Sequence, residues 1–143
     1  DVFRQAALKA LDTLSRNPDG FFLMIEGSNI DKAAHNNNLE EMMEELLDFD
    51  RTAGAVLDWA SKHPGTLVVI TADHNTGAFA LTGGSREKGE ITARFGSGSH
   101  DGVAVPGYAF GAGSGAFTGI YENTAIFSKI MDAFKKGADK PVR

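Results

Sequence analysis

No cysteine occurs in the 143 residues, which excludes a disulfide scaffold and any thiolate metal site. A metal held by this chain must use His, Asp and Glu. No apolar run approaches the roughly 20 residues of a membrane-spanning helix; the longest candidate is Phe21 to Ile25. Basic residues are in deficit, with 14 Lys and Arg against 19 Asp and Glu and a formal charge of −5. That balance argues against a nucleic-acid partner, which calls for a basic stripe. The Gly-rich tracts contain no phosphate-loop pattern ending in Lys-Ser or Lys-Thr. What remains is a globular composition, 42% hydrophobic and 23% charged, long enough for one domain with a sizeable core. The first residue is Asp1, with no initiator Met and no charged segment leading into an apolar one. From this we expect no signal peptide here, and a processed chain or a piece of a larger one.

Apolar residues at three- and four-residue spacings predict a helix over residues 2–15, closed by Asn17-Pro18-Asp19-Gly20. Phe21 to Ile25 is a continuous apolar run, the kind a strand buried on both faces of a parallel sheet requires. A helical pattern returns from about Leu39 to Lys62 and stops at His63-Pro64-Gly65. Thr66 to Ala72 is β-branched and reads as a second buried strand. Twelve of the 17 glycines then fall between Gly77 and Gly119, a turn-rich stretch with short strands near Phe79–Leu81, Ile91–Phe95 and Val103–Phe110. A last helix fits Glu122 to Lys136. The order of elements reads as α/β.

In open parallel sheets, ligands bind beyond the carboxyl ends of the strands. Both apolar runs end in an acid, Glu26 after the first and Asp73-His74 after the second. If the two strands are parallel, these residues share one edge. Asp31 and His35 stand four apart, one face of a helical turn and within reach of a single ion. His100 lies among glycines and serines. Each residue also has a structural reading: Glu26 as a strand terminator, Asp73 as a helix cap, Asp31 and His35 as a surface pair, His100 as a solvated loop residue. Their joint occurrence at one expected edge favours a metal site with mixed oxygen and nitrogen donors, which suits zinc. His63, before Pro64 at a helix end, is read as structural.

Phe21 to His35, reading FFLMIEGSNIDKAAH, resembles the metal-binding segment of the alkaline phosphatases. So do LVVITADHN at Leu67 to Asn75, SHDGVAVPGYAFGAG from Ser99, and YENTAIF from Tyr121. The resemblance runs from about Gly20 to Lys136, and Glu26-Gly27-Ser28 separates it from phosphoglycerate mutases and sulfatases. It implies part of a three-layer α/β/α sandwich with a mainly parallel sheet, the chain being a single C-terminal portion, residues 1–143, of the catalytic domain. It implies two zinc sites and one magnesium site: Asp31, His35 and His100 on the first zinc, Asp73 and His74 on the second, Glu26 on magnesium. Lys32 matches a position that reaches phosphate through water in some members.

The implied activity is phosphate monoester hydrolysis by a periplasmic or secreted homodimer, with no nucleic acid or membrane partner. The sequence also departs from the family. It has no Asp-Ser-Ala segment to supply a serine nucleophile. The phosphate-clamping Arg, the bridging Asp and the magnesium's hydroxyl ligand have no counterpart either, and Asp101 stands where Thr follows the third His. A metal-binding fragment without turnover is the alternative expectation.

Overall fold

The apolar spacing of the first 15 residues forms helix α1 (Val2–Leu14), which buries Ala7 and Leu11. It ends where the Asn17 side chain accepts the Asp19 N–H at 3.1 Å, a local bond that competes with further helix. In this computed structural model, which describes residues 2–138, three further helices follow: α2 (Ser28–His35), α3 (Leu39–Ser61) and α4 (Ala125–Ala138). Asn38 caps α3, its side chain accepting the Glu41 N–H and donating to the Glu41 carboxylate. The first of these bonds satisfies an amide that the helix start leaves open.

Six strands are present among the described residues: β1 (Leu67–Thr71), β2 (Asn75–Thr76), β3 (Ala80–Ser85), β4 (Glu90–Arg94), β5 (His100–Asp101) and β6 (Gly107–Gly111). They form three two-stranded antiparallel sheets, β1 with β6, β2 with β5 and β3 with β4. No parallel pairing of the kind the sequence led us to expect is present among the described residues. β1 pairs antiparallel with β6, Leu67 opposite Gly111 through Thr71 opposite Gly107. Phe21–Ile25 belongs to no strand, and Phe22 and Met24 on it are 62% and 77% exposed. An apolar run becomes a strand only where another strand takes up its backbone groups, and the described residues offer it none.

The chain divides into two compact units, the boundary falling within α3 at Thr52 and again at Asp73 and Val105. In the first unit, Ala33, Ala34 and Met42 form a buried cluster against Ile30, Leu39, Phe79 and Phe95. In the second, Phe117 is buried on a 3-10 turn at Ser114–Phe117, and the Lys129 ammonium lies over the Tyr121 ring. The core is smaller than chain length predicts: among the described residues, Leu11, Met42 and Phe117 are the large apolar side chains that are buried.

Candidate metal centre

The site is built within the first unit, from α2 and from the β2–β5 ladder. Buried Ala33 and Ala34 pin α2 to the core, so Asp31 and His35, one turn apart, share its opposite face. The ladder sets Thr76 opposite His100 and Asn75 opposite Asp101. Gly77 ties the pieces together: its N–H donates to Ser99 O, and its carbonyl accepts from Gly96 and Ser97. Its φ of +81° and a Cβ position 2.8 Å from the Phe95 ring admit only glycine without strain.

The side chains converge. His35 Nε2 lies 3.0 Å from His100 Nε2 and 3.4 Å from Asp31 Oδ2. His100 Nε2 lies 3.5 Å from Asp31 Oδ1. The His74 ring stacks on His100 with centroids 3.5 Å apart. One donor atom each from Asp31, His74 and His100 falls within 4.8 Å of the others.

Hydrogen bonds set which nitrogen faces inward. His35 Nδ1 is 2.8 Å from the Gly98 carbonyl. A carbonyl only accepts, so Nδ1 carries the proton and a neutral His35 presents a bare Nε2. The Thr76 hydroxyl donates its one proton to Asp31 Oδ1 at 2.6 Å and lies 3.2 Å from His74 Nδ1. Its oxygen thus accepts from His74 Nδ1–H. The bare His35 Nε2 and the Asp31 carboxylate, 3.4 Å apart, repel one another unless a cation or a shared proton joins them. Imidazoles oriented by a carbonyl or hydroxyl on the far nitrogen are the pattern of metal-ligating His. The donor set fits a zinc-sized divalent ion.

The Thr76 bond is the main influence holding the Asp31 carboxyl below its ordinary pKa, against partial burial, with His35, His100 and His74 adding to it. Asp31 therefore stays ionised to lower pH than an ordinary carboxylate.

The other residues singled out from sequence lie elsewhere. Glu26 lines a cleft of 320 Å³ with Ser28, Asn29, Glu45 and Asp48, apart from the converging donors. Asp73 precedes His74 but is exposed, begins no helix and is not among those donors. The Lys32 ammonium donates to Asn29 Oδ1 at 3.2 Å. His63 stacks on Trp59 with centroids 3.7 Å apart and contacts the Trp59 carbonyl. Geometry does not separate His74 from the set expected for the first zinc.

Sequence reasoning missed Thr76, whose signal was its spacing: two residues beyond His74 on a strand is the same face. It also left Asp101 unexplained. Asp101 Oδ2 accepts from Asn75 Nδ2 at 2.9 Å and from the Ala78 N–H at 3.1 Å, and Oδ1 from the Val103 N–H at 3.0 Å. These donors, Val103 first, hold its carboxyl below the ordinary range.

A profile of the family described as Alkaline phosphatase matches residues 3–96, which includes α2, His74 and β2. The chain belongs to the alkaline phosphatase family. It is 45% identical over 85 residues to Alkaline phosphatase 4 of Bacillus subtilis, covering 59% of this chain and 18% of that protein. Streptomycin-6-phosphate phosphatase of Streptomyces griseus is 34% identical over 131 residues, 80% of this chain and 29% of that protein. The alkaline phosphatase of the Antarctic bacterium TAB5 superposes with a TM-score of 0.85 at 38% identity, covering 93% of this chain and 41% of that one. A His 135 Glu mutant of the TAB5 enzyme carries Mg in its M3 site, at a TM-score of 0.83 and 39% identity, with 91% of this chain and 40% of that one covered. The fold is α/β, and the chain spans less than a third of the length of these curated relatives.

Proposed function

We propose that this chain carries zinc-binding residues of a phosphomonoesterase and forms the C-terminal part of its catalytic domain. The observation that carries the reading is the convergence of Asp31, His35, His74 and His100, with the Nδ1 nitrogens of His35 and His74 already engaged. When bound, zinc supplies a Lewis acid for a phosphoryl oxygen and for the oxygen leaving phosphorus. The chain's own groups prepare for it: Thr76 keeps Asp31 ionised, and Gly98 fixes the His35 tautomer. Asp31, His35 and His100 make up one zinc set; Asp73 and His74 contribute to a second, and Glu26 to a magnesium site. Lys32, exposed on α2 beside Asp31, is the proposed phosphate contact.

The chain contains no Asp-Ser-Ala nucleophile segment, and the relatives are far longer. In the proposed whole protein, further residues supply the nucleophile and the phosphate-clamping Arg and complete a three-layer sandwich with a mainly parallel sheet. That protein is a periplasmic or secreted homodimer acting on phosphate monoesters. The missing nucleophile favours a second reading for the 143 residues by themselves: metal binding without turnover. The test is zinc titration beside a p-nitrophenyl phosphate assay. The chain should bind zinc, with affinity lost in His35→Ala, and should not hydrolyse the ester. Hydrolysis that survives repurification and disappears in His35→Ala would overturn the account of the missing nucleophile.

A further inference from the structure

We propose that Asp101 is a positioning residue that holds the two imidazole-bearing strands of the metal centre in register; this rests on the metal-site reading above. The β2–β5 ladder is two residues long on each side, too short to persist by its own backbone bonds. It nevertheless carries His100, and His74 immediately precedes it. The Asp101 carboxylate supplies what the ladder lacks. It reaches across the pair to the Asn75 amide, next to His74, and accepts the backbone N–H of Ala78 on the far side of Thr76 and Gly77. Its second oxygen takes the Val103 N–H and so fixes the chain leaving His100. Ala78 sits at φ +45°, a left-handed conformation unfavourable for alanine, and a charged acceptor on its N–H helps to hold it there.

A carboxylate has about four lone-pair sites, and three donors already occupy Asp101. Asp101 is therefore suited to clamp the strands and poorly suited to ligate. The role of the clamp is the spacing of the rings: His74 and His100 stack at 3.5 Å although the His100 side chain is 49% exposed. An imidazole that open has few packing contacts to hold it, so its position depends on the backbone beneath.

The test uses the 143-residue chain, wild type, Asp101→Ala and Asn75→Ala. Zinc affinity is measured by competition with a chromogenic chelator, the visible absorption of the cobalt(II)-loaded chain reports ligand geometry, and circular dichroism confirms folding. Asp101→Ala should weaken zinc binding about 10- to 100-fold, as loss of a supporting partner does, and should reduce the cobalt absorption even at saturation. Asn75→Ala, which removes one donor of three, should weaken binding by a smaller factor. A purely structural Asp101 would lower stability yet leave the saturated cobalt spectrum unchanged, and that result overturns the proposal. Should Asp101→Ala fail to fold, Asn75→Ala decides: unchanged affinity and spectrum overturn the proposal. If wild type binds no zinc, the metal-site reading fails and this one with it; if wild type and both variants bind alike, only the clamp is refuted.

Discussion

The Thr76 hydroxyl links an imidazole to a carboxylate through a single oxygen, receiving from His74 and donating to Asp31. Thr76→Val keeps the shape and removes the link. Zinc affinity should fall about tenfold, as for other oriented ligands, with the secondary structure retained. The same change should alter acid behaviour in the metal-free chain. The folded-state pKa of Asp31 is depressed, so its contribution to stability is full above the ordinary carboxylate value of 3.8 and is lost as pH falls through the lower folded value. Thr76→Val should raise the Asp31 pKa, observable by carboxyl NMR titration, and bring that loss to higher pH. An unmoved titration would show that the hydroxyl does not govern the charge. Asp31 and His35 were legible as a pair because four residues on one helix fixes their face. The partner of Thr76 was not, because a hydroxyl's acceptor 45 residues away is set by how a strand packs on a helix.

At the scale of elements, periodicity located three of the four helices: α1 and α3 lie within a residue or two of expectation, and α4 begins three residues later than expected. The short α2 was not read from periodicity. Strands were legible as runs but not as pairs. Thr66–Ala72 contains β1, yet nothing in its β-branched composition names β6 as its partner or sets the antiparallel sense. Phe21–Ile25 was read as a strand on composition that a strand shares with any apolar segment awaiting cover. The turn at Gly77 offers a direct test of how the ladder is held. Gly77→Ala meets both a left-handed φ and the Phe95 ring. It should cost about 1–2 kcal/mol, the price of a side chain in that conformation, read by urea unfolding. A change within about 0.5 kcal/mol, as at ordinary surface sites, would mean the turn relaxes freely.

Across the whole molecule, apolar side chains stand exposed on each unit: Phe22 and Met24 in the first, Ile120, Phe127, Met131 and Phe134 in the second. Exposure of this kind marks surfaces that another surface covers, in keeping with relatives several times longer. A fluorescent apolar dye should bind the folded chain. Phe22→Ser with Met24→Ser should reduce that binding while shifting stability by no more than about 0.5 kcal/mol, as for exposed positions. Equal dye binding would place the apolar surface elsewhere. The central proposal is that Asp31, His35 and His100, brought from distant parts of the sequence, hold one divalent ion. X-ray absorption of the zinc-loaded chain measures this directly. The account predicts a nitrogen and oxygen shell at about 2.0–2.2 Å with outer scattering from at least two imidazoles, diminished in His35→Ala. A shell of water oxygens without imidazole scattering would contradict it.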